Sequence, residues 1–91
     1  MSAGRVERIR EALSALQPVR LDIRDDSAKH AGHAGARDGR GHFSVVIVSA
    51  AFEGLPPIQR HKRIYAAMGA LMDTDVHALA IVAKTPAEAG A

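Results

Sequence analysis

The run HFSVVIVS, residues 42 to 49, most limits how this chain can fold. It is nearly all apolar and rich in β-branched residues, which suit an extended backbone. A strand with one face in water alternates apolar and polar side chains, whereas a nearly continuous apolar run is typical of a strand that is buried more fully. The run therefore predicts the central strand of a sheet.

Two other segments are predicted to be strands. Residues 19 to 25, VRLDIRD, alternate aliphatic and charged side chains, and this period of two describes a strand with one buried face. Residues 76 to 84, VHALAIVAK, form the third predicted strand. Because only a histidine- and glycine-rich loop over residues 26 to 41 separates the first two strands, an antiparallel hairpin is their simplest pairing.

Apolar residues at spacings of three and four predict two amphipathic helices. The first ends before Pro18, and its apolar residues are Val6, Ile9, Leu13 and Leu16. The second runs from about 57 to 72, after the prolines of AFEGLPP. Its apolar stripe consists of Ile58, His61, Tyr65, Met68 and Met72, and Ile64 and Leu71 flank this stripe. Gly69 falls inside this helix, where we expect it to allow close packing against the sheet.

The order helix, strand, strand, helix, strand predicts a single α/β (α+β) domain, with helices packed on one face of a three-stranded mixed sheet. A right-handed crossover through the second helix places the third strand parallel to the second. The third strand then starts at the end of the sheet where the loop over residues 26 to 41 opens. We therefore expect His77, near the start of that strand, to lie close to the loop.

Composition excludes several classes of protein. The 91 residues include no cysteine, so no disulfide framework can form and the histidines are the strongest available ligands for borderline metals. A net charge of +2 does not by itself predict nucleic-acid binding. We find neither an apolar run of about 18 residues nor a secretory signal, so we expect a cytoplasmic protein without membrane contact. No catalytic motif appears, so we do not expect an enzyme.

Four segments together resemble the BolA family: DSAKHAGH, HFSVVIVSAAFEG, QRHKRIYAAM and VHALAIVAKTP. The resemblance extends from about residue 5 to 86, in the right order and spacing. It implies a class II KH-like fold with the α-β-β-α-β order derived above. It also implies one BolA-like domain over residues 1–91, with a core over about 5–86. The terminal TPAEAGA, residues 85–91, is expected to be a frayed tail.

The resemblance further implies a non-enzymatic adaptor or regulator that binds a monothiol glutaredoxin and co-ligates a bridging 2Fe–2S cluster, in cluster trafficking or iron sensing. The family's hallmark ligand falls on His77, and the histidine after its D-[ED]-S element falls on His30, in the histidine-type branch. His33 and His42 are alternative ligands, although a packing role suits His42. Glutathione and cysteine sulfur would come from the partner, so we expect no cofactor in the isolated protein, which would be a monomer or weak homodimer.

A second functional hypothesis is a DNA-binding transcriptional regulator. It relies on the KH-like fold and on the basic cluster Arg60, Lys62 and Arg63 in the second helix. Gly54 in FEGLPP stands alone, without the GxxG loop by which KH domains clamp a nucleic-acid backbone. DNA contact through the helix would depend strongly on salt concentration.

Overall fold

The computed structural model describes residues 2–26 and 41–90. Within these ranges the helices are α1 (Ser2–Leu13), α2 (Pro57–Met68) and α3 (Leu71–Thr74), and the strands are β1 (Arg20–Asp25), β2 (Gly41–Val48) and β3 (Val76–Lys84). Two short 3-10 turns follow α1 and β2. The predicted α/β (α+β) order is confirmed. None of the helices in the described ranges has the length and apolar character needed to cross a membrane.

The sheet has the order β1-β2-β3, so the apolar run of β2 is its central strand, as predicted. β1 pairs with β2 antiparallel, with Leu21 opposite Ile47. β3 pairs with β2 parallel, with Ile81 opposite Val45. The predicted hairpin and the predicted parallel crossover are therefore both confirmed.

The core lies between one face of the sheet and the helices. Its fully buried members are Ile9, Leu13, Phe43, Val45, Ile47, Phe52, Ile64, Met68 and Val76. Burial of each such large side chain stabilises the folded state by about 1.5–3 kcal/mol. The opposite face of the sheet carries a groove of about 420 Å³ whose lining includes Ser44, Val46 and Val82. We call this opposite face of the sheet the helix-free face.

The second predicted helix differs from the structure in two respects. It is interrupted at Gly69, whose φ of +54° ends α2, so that α3 is a separate short helix. A Cβ added at Gly69 would meet only Ala66 O, at 4.0 Å. Conformation and not close packing therefore explains this glycine. The predicted stripe is also rotated, because Ile64 and Met68 are buried whereas Ile58 and Tyr65 are exposed.

Residues 85 to 90 form turns after β3 that carry a capping box. The Thr85 hydroxyl accepts a hydrogen bond from Glu88 N at 3.2 Å, and the Glu88 carboxylate accepts one from Thr85 N at 2.9 Å. Fraying of residues 85–91 concerns motion and stays a prediction. The two hydrogen bonds between Thr85 and Glu88 are the contacts that would oppose fraying.

Candidate functional site

A β-bulge near the start of β3 takes His77 out of the regular pairing with β2. Gly41 pairs with Val76 and His42 with Ala78, so the register of β2 and β3 skips His77. With this extra residue, Val76 can be fully buried while Leu79 also packs against the core. Strict alternation would turn one of the two away from the helices. The bulge thus reconciles two core positions and leaves His77 exposed.

His77 lies beside His42. Their ring centroids are 5.2 Å apart, and the ring planes are inclined at 50°. His77 is exposed, whereas His42 is half-buried and its Nε2 atom is shielded from solvent. The structure therefore brings together two of the four histidines that the sequence analysis considered as ligands.

The residues on either side of the segment 27–40 lie at the end of the sheet where β3 starts. Asp26 N donates to His42 O at 2.8 Å, and Gly41 N donates to Asp75 O at 2.9 Å. These bonds anchor the last residue before the segment and the first residue after it. The expectation that His77 lies at the end of the sheet where the loop opens is therefore confirmed.

His30 and His33 lie outside the described residues. The choice of His30 as second ligand, with His33 as its alternative, therefore stays a prediction. What the structure describes is the position of the two chain ends between which these residues lie.

Asp75 fixes the start of β3. Its carboxylate accepts from Arg8 at 2.5 Å and from the Thr74 hydroxyl at 2.6 Å, and lies 3.5 Å from Arg5. The Thr74 hydroxyl and the two guanidiniums lower the pKa of Asp75, against a smaller opposing effect of burial. These contacts join α1 to the turn that precedes His77.

Asp26 supports the neighbouring end of β1. The Ser44 hydroxyl donates to its carboxylate, and Arg24 Nε donates to it at 2.7 Å. Ser44 follows His42 by two residues in β2 and so lies on the same face of the sheet. The His42 end of β2 is thus held by a backbone bond and by a side-chain bond from β1.

The structure divides the predicted basic cluster. Arg60 donates to Leu55 O at 2.7 Å, to Ala83 O at 3.2 Å and to the Glu88 carboxylate, and only 12% of its side chain is exposed. Lys62 and Arg63 are exposed on α2. Arg60 therefore helps to hold α2 against the end of β3, and only Lys62 and Arg63 present their charge to solvent.

Residues 13–88 match the profile of the family described as "BolA-like protein". The chain belongs to this family. A curated relative is "Protein BOLA1, chloroplastic" of Arabidopsis thaliana, which is 47% identical over 89 residues, 93% of this chain and 56% of the relative. Another is "DNA-binding transcriptional regulator BolA" of Escherichia coli (strain K12), 43% identical over 76 residues, 82% of this chain and 70% of the relative.

The BolA-like fold is also seen in solved structures. The "BolA domain of SufE1 from Arabidopsis thaliana" superposes with a TM-score of 0.79 at 46% identity, covering 90% of this chain and 92% of that one. The chain spans about half the length of several of the curated relatives it matches. The similarity therefore identifies the domain, and a class II KH-like arrangement is consistent with it.

In the described part of this BolA-like chain, no group of three or more His, Cys, Asp or Glu residues could hold a metal ion. His42 and His77 alone offer at most two imidazoles. A metal centre that uses His77 would thus need ligands from residues 27–40 or from another molecule.

Sequence reasoning missed the residues that support this site. Asp75 and Asp26 flank strands as ordinary polar residues, and no local pattern links them to Arg8 or Ser44. The capping box of TPAE, in contrast, has a recognisable [ST]-x-x-[DE] signature. That signature could have revealed the ordered contacts after Lys84.

Proposed function

We propose that this BolA-like protein is a non-enzymatic adaptor that binds a monothiol glutaredoxin and shares a bridging 2Fe–2S cluster with it, in cluster trafficking or iron sensing. One observation carries the proposal: exposed His77 lies at the bulge, at the end of the sheet where both ends of residues 27–40 are anchored. An exposed imidazole at the end of the sheet where a histidine-bearing segment begins and ends suits co-ligation with a second molecule. The cluster is cargo of the complex and not a resident cofactor of the isolated chain.

The proposed ligands from this chain are His77 and His30, with His33 as the alternative within the same segment. Two imidazoles can replace two thiolates on one iron of a 2Fe–2S cluster, and this ligation raises its reduction potential. The remaining ligands would be the cysteine of the glutaredoxin and its bound glutathione. Because neutral imidazole is the ligand form, acidification should weaken the shared site.

The experiment adds the protein to a cluster-loaded monothiol glutaredoxin and follows visible absorption and circular dichroism. We expect the spectrum to change with the natural protein, and to change less or not at all with His77→Ala or His30→Ala. His61→Ala is the matched control, because His61 is half-buried on α2, in the helical layer. A glutaredoxin spectrum that stays the same on addition of the natural protein would contradict the proposal.

A DNA-binding regulator is the second candidate, supported by the name of the Escherichia coli relative and by exposed Lys62 and Arg63. Gel retardation across a salt series tests it. Each lysine or arginine that contacts a phosphate should reduce the slope of log affinity against log salt by about 1 when it is replaced by alanine. Unaltered retardation by Lys62→Ala and Arg63→Ala would exclude this helix as the DNA contact.

The proposed compartment is the cytoplasm. The relative of Arabidopsis thaliana is named as chloroplastic, so the domain itself does not decide the compartment.

A further inference from the structure

We infer that His42 is a positioning residue: its ring holds the imidazole of His77 in the orientation in which it can ligate a cluster. The inference rests on the proposed function and adds a residue to it. The observation behind it is the tilted contact between the two rings, with centroids 5.2 Å apart. This separation lies in the range where aromatic pairs attract each other.

His42 belongs to the central strand of the sheet. β2 has a neighbour on each side, His42 O accepts from Asp26 N at 2.8 Å, and the next residue, Phe43, is fully buried. These contacts prevent the His42 backbone from moving without disturbing the core. The backbone that carries the half-buried His42 ring is therefore held in place, and the ring offers a surface against which another side chain can be oriented.

His77 needs such a surface. The bulge takes it out of the regular pairing of β3 with β2, and its side chain is exposed to solvent. An exposed side chain samples several rotamers and loses that freedom when it binds a ligand. Contact with the half-buried His42 ring reduces this cost, since part of the ordering is already present in the isolated protein.

The burial of His42 favours a positioning role for this residue over direct ligation of a cluster. The Nε2 atom of His42 is shielded from solvent, whereas His77 is exposed. A cluster carried by a second protein must approach from solvent, so it reaches His77 before His42. The ring of His42, and not its Nε2 atom, is then the part that acts.

The test compares His42→Phe, which keeps an aromatic ring without nitrogen, with His42→Ala, which removes the ring. Titration of each variant into cluster-loaded monothiol glutaredoxin, followed by circular dichroism, measures the affinity of the shared complex. We expect His42→Ala to weaken the complex about 3- to 10-fold, as befits the loss of one aromatic contact, and His42→Phe to stay within about twofold of the natural protein. His61→Ala is the control for loss of a half-buried imidazole elsewhere.

A second measurement follows the His77 ring protons by NMR in the isolated protein. We expect His42→Ala to move them toward the positions of a freely rotating histidine while the backbone amides of β1 keep theirs. Preserved amide positions also show that the variant folds. His42→Phe should keep the ring protons shifted by the neighbouring ring.

The outcomes separate the hypotheses. Cluster affinity and ring protons of His42→Ala that match those of the natural protein would overturn the positioning role. Loss of the cluster spectrum in both variants, to the extent seen with His77→Ala, would overturn it in favour of direct ligation by His42. If the natural protein does not alter the glutaredoxin spectrum, the proposed function fails, and the NMR measurement still decides whether His42 orients His77.

Discussion

The Arg60 guanidinium donates to both carboxylate oxygens of Glu88, at 2.5 and 3.0 Å, and so joins α2 to the turns after β3. The same guanidinium donates to Leu55 O and Ala83 O. A cation that looked available for an anionic partner is thus part of the tertiary structure. Its loss should change stability, whatever the protein binds.

The first prediction concerns pH. The hydrogen bond from Arg60, helped by the Thr85 amide, lowers the pKa of Glu88 to about 2. A carboxylate with a lowered pKa stabilises the folded state above its unfolded pKa, near 4.5, and this contribution is lost as the pH falls through about 2. We expect Glu88→Gln to speed amide hydrogen exchange at Thr85 and Ala89 at pH 7.

The pH series supplies the control for Glu88→Gln. The difference in exchange between the variant and the natural protein should shrink as the pH falls from about 4.5 toward 2. A difference that persists unchanged at pH 2 would mean that the Arg60–Glu88 ion pair does not hold these turns.

The second prediction concerns which face of α2 packs on the core. Ile64 is 0% exposed and Ile58 is 64% exposed. The same substitution can therefore be made at a buried and at an exposed isoleucine of one helix. Ile64→Ala should lower the free energy of unfolding by about 2–5 kcal/mol, because it removes buried methyl groups and leaves a cavity. Ile58→Ala should change it by no more than about 0.5 kcal/mol. Urea unfolding monitored by circular dichroism measures both, and equal effects would show that α2 is rotated from the orientation described.

The third prediction concerns two glycines of opposite role. Gly69 has φ +54° and ψ −130°, a backbone conformation outside the left-handed helical region that a residue with a Cβ adopts only with strain, so Gly69→Ala should destabilise the fold by about 1–3 kcal/mol. Gly4 lies within α1, where an added Cβ would meet open space, so Gly4→Ala should stabilise the fold by about 0.5 kcal/mol. Thermal unfolding should thus shift in opposite directions, and a shift in the same direction would refute the conformational explanation of Gly69.

The fourth prediction concerns the ion pairs before β3. Asp75 has a side chain that is 14% exposed and contacts two arginines, whereas Glu7 is 72% exposed and lies 3.8 Å from Arg10. Asp75→Asn should lower the free energy of unfolding by about 1 kcal/mol, and Glu7→Gln should have almost no effect. Chemical denaturation at neutral pH measures the two. Indistinguishable variants would show that the Asp75 contacts contribute no more than an ordinary surface pair.

Sequence periodicity was sufficient to predict the three strands, the two long helices and their order. The period of two in VRLDIRD and the apolar run of β2 reflect the burial of each strand face, and burial is recorded residue by residue in the chain. The bounds of β3 were predicted as Val76–Lys84 and are found there. Family membership also follows from segments that are continuous in sequence.

The face of α2 could not be predicted in the same way. Apolar residues occur on more than one side of this helix, so spacing alone permitted a stripe through Ile58 and Tyr65. In the folded structure the side of α2 with Ile64 and Met68 is buried, because those residues pack with core residues of β2 and α1. Apolar spacing also does not reveal the interruption at Gly69, because that interruption depends on the backbone conformation of a residue without a side chain.

The sequence by itself determined the α-β-β-α-β order, the central position of β2 and the end of the sheet to which His77 belongs, because each depends on patterns or connections along the chain. Only the tertiary structure decided that a bulge sets His77 beside His42 and that Arg60 is bound to Glu88. Those contacts join residues separated by 35 and 28 positions, and their geometry depends on how the whole sheet and its helices pack.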